Sequence, residues 1–326
     1  MHIRRLALAA ALCLGTLVSA AAGAQTVRFA TSQVNPEEPV VKAMKAFAER
    51  VQERSGGRLK LPIFTGDQLG AQKKVNEMLK GGARIMNVTD YGQLSQFVPD
   101  LGLLAGPYVY GSLDEARRLF ASDVFADMSR RLEAQGIKLV MADGLFGYRH
   151  VIAGKPVRTP ADMQGMTIRV PPSPIMMATF AALDARPTDL PWSEVYNALQ
   201  TGVVDAAEAN FGSLAGAKLY EVRKVVSMTR HQIMFAAFAT STQFFNSLEP
   251  DLQAILLEEG RRAGQELTQA TLDSDAVYTE ELKRHGVEIV TDVDVQAFAD
   301  KARSAYGRIE GLTPGMVDRV RAAMAE

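Results

Sequence analysis

Cysteine is all but missing from this chain of 326 residues: the one example, Cys13, sits inside an N-terminal apolar run. A mature protein without that run has no thiol, which excludes disulfides, thiol catalysis and cysteine-ligated metals together. Histidine is scarce as well. Beyond His2 there are His150, His231 and His285, at no metal-ligand spacing. The chain also lacks the Ser nucleophile elbow, the Walker loop, the H-E-x-x-H zinc helix, and a G-x-G-x-x-G turn after its first strand. No enzymatic activity is expected from these absences, and neither a cofactor nor a metal is called for.

Long apolar runs are limited to the N-terminus. There MHIRRLALAAALCLGTLVSAAAGA has basic Arg4 and Arg5, an apolar stretch from Leu6 to Val18, and the small-x-small triplet Ala22-Gly23-Ala24. This pattern is an export signal with cleavage after Ala24 (residues 1–24), too short in its apolar part to cross a bilayer. The mature chain is expected to be exported to the periplasm with no membrane span of its own. Charge of one sign is lacking too: without Arg4 and Arg5 there remain 34 basic against 37 acidic side chains, a net charge near −3 that offers nucleic acid no surface.

What remains alternates between strand and helix patterns, which predicts an α/β fold with a mostly parallel sheet. TVRFATSQ and RLKLPIF read as strands around a helix capped by Asn35 with Pro36 in its first turn. GAQKKVNEMLKGG reads as a helix and ARIMNVTD as a strand. Ser112 and Glu115 form a capping box, S-x-x-E, and Thr159 caps a short turn. GIKLVMADGLFGYRHVIAG is an unusually long strand, and a second α/β lobe starts near Gly147. Ser193 caps the helix of PWSEVYNALQTG. From Pro250 to about His285 a single helix of roughly 50 Å is predicted, long enough to cross two lobes.

The candidate chemistry lies with arginine. TIRVP places Arg169 between two aliphatics of a short strand, and Arg149 follows the aromatic-rich GLFGY twenty residues earlier. A buried guanidinium is costly without a fixed anion, and its planar fork matches a carboxylate. Two readings stay open: the arginines hold a ligand, or they pair with acids such as Asp162, Glu194 or Asp205. Tyr148, Trp192, Tyr196 and Phe211 are candidate pocket walls or core. Glu208 and Asn210 stand where a strand runs out, the edge at which doubly wound sheets bind ligands.

The segments RTPADMQGMTIRVPPSP, PTDLPWSEVYNALQTGVVDAAEANF and KLYEVRKVVSMTRH, with KAFAERVQERSGGRLKLPIF, DQLG and VTDYGQLSQFVPDLGLLAGPYVYGSLDEA upstream, together resemble a known family. It is that of the DctP-type solute-binding proteins of TRAP transporters. The resemblance implies a two-lobed periplasmic binding protein, a Venus flytrap with the long helix across both lobes. Lobe I would take residues 25–146 plus about 235–274, and lobe II residues 147–234 plus about 275–326. It implies that Arg169 salt-bridges a ligand carboxylate and that Arg149 assists. Ala209 stands where the family commonly has Asn, with Asn210 one place on. Contacts from the facing lobe are expected from Gln33, Gln68, Asn87 and Tyr91, with Trp192, Glu208 and Asn210 on the near side. The implied cargo is an organic acid, a sugar acid such as a hexuronate before a C4-dicarboxylate, handed to the small and large TRAP membrane subunits. A periplasmic enzyme or a ligand sensor acting on a small carboxylate is the alternative.

Overall fold

The computed structural model describes residues 24–325; the expected export signal, Ala24 apart, lies outside them. Its strands are, in chain order, β1 (Gln25–Thr26), β2 (Arg28–Ala30), β3 (Leu59–Lys60), β4 (Ile63–Phe64), β5 (Ile85–Asp90), β6 (Ile137–Ala153), β7 (Thr167–Val170), β8 (Arg186–Asp189), β9 (Ala206–Ala209), β10 (Val225–Ser241) and β11 (Glu288–Val290). Nine of them form one sheet in the order β4-β2-β5-β10-β6-β9-β7-β8, with β11 pairing β10.

The sheet is mixed, where a mostly parallel one was expected. Its flanks are parallel, β4-β2-β5 on one side and β9-β7-β8 on the other. Its centre is antiparallel, because the 17-residue strands β6 and β10 run past one another through both halves. The reading of β6 as unusually long holds. Its antiparallel partner is harder to see in the sequence, since β10 is broken by a register shift between Ser227 and Gln232, where Arg230 adopts φ 46°. A bulge of this kind hides the two-residue period.

The helix Pro250–Arg284 runs 35 residues as expected. Leu252, Ile255, Leu256, Ala263 and Leu267 pack with Phe29, Phe47 and Phe238 of one half, while Tyr278 and Leu282 pack with Leu199, Leu214 and Val226 of the other. Gly260 lets it lie directly on β6: a Cβ there would stand 2.0 Å from the Val140 carbonyl oxygen. Arg54 Nη1 donates to Glu259 at 2.8 Å and ties the helix Pro39–Arg54 to this long one.

Two caps fall elsewhere than expected. The first helix starts at Pro39, not after Asn35, because Pro39 occupies its first position and holds Glu38 extended. Asn35 makes a local turn instead, its side chain accepting the Glu37 N–H at 3.0 Å. Ser193 lies inside a 3-10 turn, Trp192–Glu194, and the helix that follows, Val195–Gln200, has no side-chain cap. Ser112 does accept the Glu115 N–H, at 3.2 Å, but the Glu115 carboxylate accepts from Gly111, one residue further back than the box requires. The Thr159–Asp162 turn is capped reciprocally.

Candidate functional site

The cleft forms where parallel strands from both halves end: β2 leads into Thr31–Gln33, β4 into Asp67, β5 into Gln93, β7 into Pro172 and β8 into Trp192. This is the crevice position at which open α/β sheets bind ligands. An inner cavity is walled by Thr31, Gln33, Thr89, Phe146, Arg149 and Met234, among others. An outer opening involves Asp67, Lys73, Lys74, Gln93, Pro172 and Pro191. Ser32, Gln72, Arg169 and Trp192 border both.

Strand alternation puts Arg169 there. Ile168 and Val170 face the apolar core, so Arg169 takes the opposite face and is 2% exposed. Its Nε and Nη2 both donate to the Leu190 carbonyl, at 2.9 and 2.7 Å, and its guanidinium lies 5.3 Å from the Trp192 ring centroid. No carboxylate pairs with it among the described residues. Its Nη1 makes no hydrogen bond there, so the end-on edge of the fork, Nη1 with the second Nη2 proton, is open. Burial pushes its pKa down to about 9, against the upward pull of Glu208. Arg169 therefore stays charged at neutral pH in a place that disfavours charge.

Arg149 is arranged differently. It is 4% exposed, and its Nη2 donates to Glu208 Oε1 at 2.6 Å and to the Glu208 carbonyl at 2.9 Å. Its Nε donates to Glu208 Oε2, and Nη1 lies 2.9 Å from Met234 Sδ. The acid that pairs with it is thus Glu208, not Asp162, Glu194 or Asp205. Burial raises the Glu208 carboxyl, but Arg149 and His231 outweigh it and hold the group at about 2. His231 Nε2 is 3.2 Å from Glu208 and its Nδ1 2.8 Å from Thr229 Oγ1, which completes a closed polar cluster.

Of the residues singled out from the sequence, the structure brings Arg169, Arg149, Gln33 and Trp192 together on the cavity. Glu208 lies behind it, occupied by Arg149 and His231. Asn210 caps the helix Phe211–Gly216 by accepting from Ser213 at 2.7 Å, and its amide nitrogen donates to Phe146, so both ends are in use. Asn87 is buried and bonded to Asn76 at 2.8 Å. Tyr91 donates to the Ala142 carbonyl and packs on Phe120 and Phe125, as core. Gln68 is exposed in a turn and borders neither space. Gln72, Gln93, Asp67 and Ser32 went unnoticed; each follows a strand or opens a helix, and only the tertiary apposition marks them.

Between the halves, Glu38 from one is buried against Ser213 from the other, whose hydroxyl donates to it at 3.3 Å. The Gln33 amide nitrogen donates to the same carboxyl at 2.9 Å in the orientation that satisfies both groups. No cation among the described residues pairs with Glu38, and burial pushes its pKa up to about 8. Such contacts between halves belong to a closed cleft.

Comparison with known proteins fits this geometry. Residues 29–311 match the family described as bacterial extracellular solute-binding protein, family 7 (DctP). The 2,3-diketo-L-gulonate-binding periplasmic protein YiaO of Escherichia coli is 31% identical over 280 residues, 85% of this chain and 84% of that one. A TRAP periplasmic solute-binding protein of Ochrobacterium anthropi with bound L-fuconate superposes with a TM-score of 0.88 at 32% identity, over 92% of this chain and 99% of that one. One from Escherichia fergusonii in an apo open form is 30% identical but reaches 0.78, over 91% and 99%. The present arrangement is nearer to the liganded structure. Among the described residues no helix is long and apolar enough to cross a membrane, and no cluster of three or more His, Asp or Glu could hold a metal.

Proposed function

The chain belongs to family 7 of the bacterial extracellular solute-binding proteins, the two-lobed TRAP type, and from that premise we propose that it carries a sugar acid. The acid, a hexuronate or aldonate, lies in the cleft with its carboxylate on the open edge of Arg169. The observation that carries this reading is the contrast in pairing: a guanidinium 2% exposed, bordering the cavity, with no acid of its own. An uncompensated buried charge is destabilising until an anion joins it. The ligands of two relatives, a diketo acid of a sugar and L-fuconate, both offer a carboxylate and hydroxyls.

The family consists of substrate-binding transport proteins, and the chain works by binding rather than catalysis. It is exported to the periplasm after cleavage behind Ala24. Lobe I comprises residues 25–146 plus about 235–274, and lobe II residues 147–234 plus about 275–326, with β6 and β10 as the crossings. Closure is driven by the ligand's preference for the closed form, and the loaded protein docks on the small and large membrane subunits of its transporter. A thermal-shift screen of the purified protein against sugar acids and organic acids tests this. A ligand at 100 times its dissociation constant stabilises by about 2.7 kcal/mol. A shift for a sugar acid supports the reading, and a shift for neutral sugars alone would defeat it.

A further inference from the structure

The open groups around the cleft are of opposite hydrogen-bonding sense. Arg169 supplies the free donors. Among the residues lining the outer opening are acceptors without donors: Asp67 Oδ2 and Gln93 Oε1 are both buried and unbonded among the described residues. The sense of Gln93 is fixed by its neighbours. The Val88 carbonyl can only accept, so Gln72 turns its amide nitrogen to it at 2.8 Å; Gln72 Oε1 then accepts from Gln93 Nε2 at 2.5 Å. Gln93 is left presenting an oxygen, and at 3% exposure it has no solvent to satisfy it. Asp67 sits on the turn after β4 with φ 60°, and its charge reaches Arg169. Lys73, Lys74 and Glu77 on the rim are exposed, so water and salt screen them.

We propose that Asp67 and Gln93 form a second subsite that accepts hydrogen bonds from hydroxyl groups of the ligand beyond the carboxylate held by Arg169, and that Asp67 rejects a second carboxylate there. The inference rests on the carboxylate reading of Arg169 and narrows it to hydroxylated monocarboxylates. A ligand whose far end can only accept would leave both oxygens unpaired and set its charge against that of Asp67. Buried polar groups left unpaired are a strong source of discrimination.

Matched acids that differ at one end test this by titration calorimetry: galactonate against galactarate, and gluconate against glucarate. The protein is expected to bind at least one monocarboxylate at least tenfold more tightly than its dicarboxylate. Asp67→Asn should shrink that ratio about tenfold or more by removing the charge. Asn tolerates the positive φ of this turn, so the unliganded melting temperature should stay within a few degrees. Gln93→Glu, adding a negative charge, should widen the ratio. An unchanged ratio in Asp67→Asn, a preference for the dicarboxylates, or no binding of any of the four acids overturns the proposal. If Arg169→Ala still binds these acids with full affinity, the carboxylate reading fails instead.

Discussion

Arg149 and Arg169 are twenty residues apart in sequence, both at least 96% buried, both bordering one cavity, and their surroundings differ in one respect. Arg149 is held by Glu208, with His231 behind, in a cluster complete without anything else. Arg169 is steadied by a backbone carbonyl and an indole face, neither of which neutralises it. The first arrangement suits structure: it joins β6 to β9 at the crossing between the halves. The second suits binding, because half of a charge pair has been left for the solute to bring.

The comparison breaks most sharply by removing the acid. Glu208→Ala should cost about 3–5 kcal/mol of stability, since it leaves Arg149 buried and unpaired; urea denaturation measures it. Glu208 is held near 2 against an ordinary 4.5, so its stabilisation is full above 4.5 and lost as the pH falls towards 2. Arg169→Ala should leave stability unchanged or raised, yet weaken binding of a sugar acid by about a hundredfold or more, as read by calorimetry.

Glu38 extends the contrast to an acid without a base. Its folded carboxyl keeps its proton up to about 8, whereas the unfolded one releases it near 4.5, so stability falls as pH rises through that window. Glu38→Gln should flatten this fall and stabilise the unliganded protein at pH 8.5 by about 1–3 kcal/mol, visible in melting curves at pH 5 and 8.5. The smallest effect is on affinity: burial lowers the Arg169 pKa but leaves the guanidinium charged, so sugar-acid binding should hold steady from pH 6 to 8 in calorimetry.

Much of this was readable in the sequence. A charged residue between Ile168 and Val170 stands out because strand alternation gives it a face of its own. The long helix followed from an uninterrupted stretch after Pro250. The role of Glu208 was not readable, since an acid at a strand end looks the same whether it meets a ligand or an arginine on the next strand. Asn210 was hidden likewise, its capping role and its possible contact sharing one local pattern. Asp67 and Gln93 gave no local signal at all: they come together with Arg169 on one opening only in the folded chain. The antiparallel centre of the sheet was masked by the bulge in β10.

A crystal structure with a bound sugar acid tests the central claim most directly. The account predicts the carboxylate on Nη1 and Nη2 of Arg169, with Leu190 still holding the other edge and the Arg149–Glu208 pair intact. A carboxylate that instead displaces Glu208 from Arg149, leaving Arg169 untouched, would contradict it.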